Sequence, residues 1–129
     1  DTFSDRLIFF LFHFGFFLMV FKKNTEKEIL QKIYDCNFKQ LELSIREMGY
    51  GDVAINKKMK TYLNIFHAIL DKIDNWENLS YFEKSKILSN FLNINEVKSN
   101  LIDYFNNYLL NLSNNTLNYY IKGVIKPKI

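Results

Sequence analysis

Residues 7–21 read LIFFLFHFGFFLMVF, an apolar run interrupted only by His13 and Gly15. Fifteen residues at about 1.5 Å each make roughly 22 Å of helix, short of the ~30 Å hydrocarbon core of a bilayer. A segment that is apolar on every side sits either in a membrane or at the centre of a bundle. A run this short favours the bundle, so the sequence predicts a helix buried by others. Upstream, Ser4 and Asp5 suit a helix N-terminus, and downstream Lys22 and Lys23 stand where the helix dipole prefers cations.

Working outward, Thr25-Glu26-Lys27-Glu28 spells a capping box and predicts a second helix from about residue 26. Ile29 or Leu30, Ile33, Tyr34, Phe38, Leu41, Ile45 and Met48 then recur at spacings of three and four, with Glu42 and Arg46 paired outside that stripe. Gly49 reads as a left-handed cap, Gly51 and Asp52 as a tight loop, and Asn56 as the N-cap of a third helix. The third stripe is Met59, Tyr62, Leu63, Phe66, Leu70 and Ile73.

After a loop around Trp76, Ser80-Tyr81-Phe82-Glu83 is a second capping box opening a short helix through about Leu92. Asn95 is expected to cap the next helix, with Val97, Leu101, Tyr104, Phe105, Tyr108 and Leu112 on its buried face. Asn114 and Asn115 interrupt it, a further turn or two runs through Tyr120, and Gly123 closes it. The reading is an all-α, single-domain bundle of five or six helices over residues 1–129, with a buried and very hydrophobic first helix. Because the chain opens on Asp1, it is expected to be a fragment lacking its native N-terminus.

Composition agrees. The 129 residues hold 48% hydrophobic and 24% charged side chains, enough for a core and too apolar for disorder. Gly 4 and Pro 1 supply too few turn signals for a sandwich or barrel. One Cys excludes a disulfide framework and a Cys-based zinc module. A net charge of +3 is mild, and no DNA partner is expected.

Chemistry-bearing residues are sparse. His13 and His67 lie on different helices among apolar neighbours and read as hydrogen-bonded structural histidines, with a metal or haem ligand as the sharper alternative. Cys36 reads as an inert thiol on a helix face. Gly49-Tyr50-Gly51 follows no strand, so a phosphate cradle is a poor reading. The chain is therefore read as a non-enzyme without cofactor or metal. Residues 46–60, REMGYGDVAINKKMK, are different: two glycines join helix to helix, and Lys57, Lys58 and Lys60 follow within one turn. Those lysines oppose the dipole of a helix capped by Asn56. They are either a solvated face or a docking patch for an acidic partner, a ribosome or an anionic membrane.

At this run the chain resembles the ubiquinol–cytochrome c chaperone family, assembly factors for cytochrome b of respiratory complex III. Members carry a string close to REMGVGDLxVxKxxKxM; here it is REMGYGDVAINKKMKTY. Looser matches lie at Asp1, Phe3, Arg6 and His13, at Gln31, Tyr34, Asp35 and Phe38, and at Leu88, Asn90, Tyr104 and Gly123. Tyr50 stands where a small aliphatic residue is usual, and the Asn-rich last helix departs from Ala-rich relatives.

The resemblance implies a chaperone that binds newly made cytochrome b or a partner assembly factor. The expected location is the bacterial cytoplasm at the inner-membrane face, or the mitochondrial matrix and inner membrane. Arg46, Glu47, Gly49, Gly51 and Asp52 carry over as motif residues, and Tyr50, Lys57, Lys58 and Lys60 join them as partner-binding candidates. The alternative is a small membrane-anchored helical protein with no chaperone role.

Overall fold

The computed structural model describes residues 2–94 and 99–115. They form five α-helices: α1 (Thr2–Phe21), α2 (Lys27–Glu47), α3 (Asp52–Ile73), α4 (Tyr81–Leu92) and α5 (Ser99–Asn114). One 3-10 turn, Trp76–Asn78, joins α3 to α4. The Asn95 cap, Val97 and everything assigned beyond Asn115 lie outside the described residues.

The first helix is the hub. It packs against α3, α4 and α5, and Leu11, Phe12 and Phe16 have no solvent exposure at all. Phe14 stacks on Phe66 of α3 with ring centroids 5.3 Å apart, Phe12 meets Phe91 of α4 at 5.7 Å, and Phe16 meets Trp76 edge-on at 5.2 Å. Each such ring contributes about 1.5–3 kcal/mol by leaving water, and among the described residues α1 supplies six of the twenty buried core side chains, against five from α3. The helix begins at Thr2, earlier than Ser4 and Asp5 suggested. Ser4 is therefore not its cap; its hydroxyl shares a hydrogen bond with the Tyr62 hydroxyl at 3.0 Å, and this tertiary contact holds the first turn. At 20 residues α1 is long and apolar enough to cross a membrane; a third of that stretch is fully buried, and its other apolar side chains, Phe10 apart, are partly buried against the core.

Gly15 sets how closely α1 approaches α3. A Cβ there would lie 3.1 Å from Ile73 Cδ1 and 3.5 Å from Ile69 Cγ2, so the absent side chain admits the neighbouring helix. Side-chain bonds from the two ends of α1 reach the α3 segment, the first being Ser4 to Tyr62 in the middle of α3. The second tie is Lys22 Nζ to Asp74 Oδ1, 3.1 Å.

Two further helix caps differ from the sequence reading, although α2 does begin where it was expected, at Lys27. The Thr25 capping box does not form: Glu26 occupies the cap without a side-chain bond, and the amides of Ile29 and Leu30 bond to its carbonyl. Asn56 is not a cap either. The Ile55 amide bonds to the Gly51 carbonyl at 2.9 Å and starts α3 at Asp52, which buries Ile55 completely. Lys57, Lys58 and Lys60 consequently follow the first turn, where the dipole conflict has faded. The Ser80 box, by contrast, is complete: Glu83 N–H donates to Ser80 Oγ, and Ser80 N–H to Glu83 Oε1.

The buried faces are wider than the stripes. α3 packs against both α1 and α2, so Ile55 and Ile69 are buried beside Tyr62, Phe66 and Ile73. On α5 the buried residues are Ile102, Phe105, Leu109 and Leu112, while Tyr104 is 44% exposed. Met48, the end of the predicted stripe, lies just beyond α2 as its C-cap and is exposed, while Ile45 in the last turn is buried.

Candidate functional site

The run from Arg46 to Lys60 forms the bend from α2 into α3. The amides of Met48 and Gly49 fold back onto the carbonyls of Ile45 and Arg46, at 3.1 and 3.0 Å. Gly49 has φ +96°, a conformation that side-chain-bearing residues rarely adopt, although nothing would crowd a Cβ there. Gly51 is different. Its φ −77° and ψ 167° suit any residue, and it too has open space.

Arg46 staples the bend. Its Nη1 donates to Asp52 Oδ1 at 2.7 Å and its Nη2 to Glu42 Oε1 at 3.4 Å, and Lys39 reaches the other oxygen of Glu42 at 3.6 Å. The hydrogen bond to Asp52 and that residue's charge, with a smaller contribution from Glu42, hold the guanidinium even more firmly protonated than usual. Asp52 is also the first residue of α3, where its carboxylate complements the dipole.

The ring of Tyr50 lies 4.5 Å from Lys58 Nζ, a cation–π contact that folds the loop onto the second turn of α3. The structure thus joins Arg46 with Asp52 and Tyr50 with Lys58. Glu47, Lys57 and Lys60 stand apart in solvent, without an ion-pair partner among the described residues. Beside these charges Met48 is 50% and Val53 85% exposed, so the bend presents apolar side chains outward. Periodicity had placed Met48 in the core; Val53 falls outside the α3 stripe, which was the available signal.

The other candidates lie away from the bend, and only His13 is held by close hydrogen bonds. His13 Nδ1 lies 2.7 Å from the Phe9 carbonyl and must donate to it; Nε2 meets the Tyr104 hydroxyl at 2.6 Å. His67 is exposed, 3.5 Å from the Tyr34 hydroxyl, and Cys36 is an exposed thiol on α2. Among the described residues no group of three or more His, Cys, Asp and Glu could hold a metal. Sequence reading also missed an anchor between helices: buried Trp76 donates through Nε1 to Asn106 Oδ1 at 2.9 Å, and Lys84 Nζ reaches the same oxygen at 3.2 Å.

An all-α bundle built on an apolar first helix, with a charged hairpin presented at its surface, is the class defined by these features. The family model described as Ubiquinol-cytochrome C chaperone matches residues 1–122, and the chain belongs to that family. No curated protein and no solved structure matches it significantly. Membership supports a chaperone role in the assembly of complex III.

Proposed function

We propose that the protein is a non-enzymatic assembly chaperone that binds newly synthesised cytochrome b, or a partner assembly factor, and promotes its entry into complex III. The observation that carries this reading is the hairpin inside the family match. It is held in shape by Arg46 and Asp52 and turns Met48, Tyr50 and Val53 outward. A bend shaped in advance loses less conformational entropy on docking than a floppy one. Lys57 and Lys60, exposed next to it, suit an anionic membrane or a ribosomal surface. Work at either surface accords with a location at the inner face of a bacterial membrane, or in the mitochondrial matrix.

Deleting the gene and measuring cytochrome b content and ubiquinol oxidation tests the proposal. Loss of both, restored by the wild-type gene, is expected; normal complex III would overturn it. The competing reading, a membrane anchor, draws on the length and apolarity of α1. A monodisperse preparation without detergent would exclude a lipid-exposed α1.

A further inference from the structure

Phe10 is the one large apolar side chain of α1 that is substantially exposed, at 41%. It flanks a groove of about 480 Å³ between α1 and α2, with Phe3, Leu7 and Leu41 as the other apolar walls. Along α1 the groove runs from Phe3 to Phe10 and along α2 from Asn37 to Ser44, each about 10 Å, or two helical turns. Two helices separated in this way leave room for the ridge of a third.

The groove has a single charge, Arg6. Among the described residues Arg6 has no ion-pair partner. On the polar rim Asn37 and Ser44 donate to the carbonyls of Ile33 and Gln40 on their own helix, and neither they nor Gln40 brings a negative charge to balance it. A lone guanidinium beside apolar walls is complemented by a carboxylate, which it can grip through two parallel N–H donors.

We propose that the α1–α2 groove is a docking site for an apolar helix of the client bearing one carboxylate opposite Arg6. This deepens the chaperone reading and rests on it. It places a client helix against α1 and α2, along a groove whose α2 wall ends at Ser44, two residues before the hairpin begins at Arg46.

The test uses the full chain and a fluorescent 18-residue Leu/Ala helix with a central Glu, alongside its Gln and Lys counterparts. The Glu peptide is expected to bind about three- to tenfold tighter than the Gln peptide, and the Lys peptide weakest. Arg6→Glu should invert the Glu and Lys order, and Phe10→Asp should weaken all three peptides. Phe82→Asp, at a residue of α4 that is 72% exposed and outside the groove, should change nothing. Far-UV melting checks that each variant is folded.

Binding that ignores the peptide charge, or survives Phe10→Asp in a folded chain, would overturn the site. So would Phe10-dependent self-association in sedimentation, or Phe10-dependent binding to phosphatidylglycerol vesicles with none to peptide; those results assign the groove to a second copy or to lipid. If gene deletion abolishes complex III while Arg6→Glu leaves peptide order intact, the chaperone reading stands and this site falls. If the charge order inverts but deletion leaves complex III normal, the site stands and the client lies elsewhere.

Discussion

Arg46 and Asp52 are joined by a 2.7 Å hydrogen bond across the bend between α2 and α3, although both side chains lie largely in solvent, at 49% and 79% exposure. Exposed pairs of this kind add little to global stability, so the bond acts on the shape of the bend. Arg46→Ala is expected to leave the thermal midpoint nearly unchanged. It should speed hydrogen exchange at the amides of Gly49 and Ile55, which close the turn on either side of the staple. A midpoint loss as large as that of a core truncation would contradict this view.

The two glycines of the bend make opposite demands. Gly49 at φ +96° resists side chains, so Gly49→Val should cost about 1–2 kcal/mol and Gly49→Asn less. Gly51 caps α3 from extended backbone with open space around it, so Gly51→Ser should be neutral or stabilising by ~0.5 kcal/mol. Denaturant melts of the three variants check the order. Folded Gly51→Ser that no longer supports complex III would locate the need for that glycine in partner contact, since the fold makes none.

The apolar run of α1 and the Ser80 box were legible because each is a local signal. Four residues suffice to spell a cap, and an all-apolar helix has few places to go. The start of α3 was not legible, because Gly51 caps with its backbone and offers no side chain to recognise. Nor was the Trp76–Asn106 bond, which links residues 30 positions apart and depends on how α5 is placed. The candidate site was legible as a string, while its internal pairing of Arg46 with Asp52 and Tyr50 with Lys58 needed the bend itself.

Gly15 is tight against Ile73. Gly15→Val adds bulk where a single Cβ already falls 3.1 Å from Cδ1, and overpacking should cost roughly 1–3 kcal/mol. Ile73→Val removes that atom, so the double variant should recover part of the loss. Thermodynamic coupling between the two changes measures this, and strictly additive losses would show that the contact is not limiting.

Asn106 serves two donors at once. Asn106→Leu strands the indole N–H of Trp76, itself 1% exposed, and should cost about 1–3 kcal/mol. Asn106→Asp keeps an acceptor for both Trp76 and Lys84 and should be milder. Trp76 is the chain's sole tryptophan, so its emission spectrum follows the same variants. Equal destabilisation by Leu and Asp would argue against the hydrogen bond as the cause.

Lys57 and Lys60 point into solvent from the second and third turns of α3, and Lys58 leans on Tyr50. Since α3 starts at Asp52, these lysines neither burden the helix dipole nor hold the core. Replacing all three by Gln is therefore expected to change stability by no more than ~1 kcal/mol. If the patch meets ribosomes or an anionic membrane, the same change should weaken that association and flatten its dependence on salt, because fewer counterions are released or screened. Co-sedimentation with ribosomes and with anionic vesicles, at low and moderate salt, separates the two surfaces. Unchanged binding to both by a folded variant would reduce these lysines to solubilising charges and leave docking to Met48, Tyr50 and Val53.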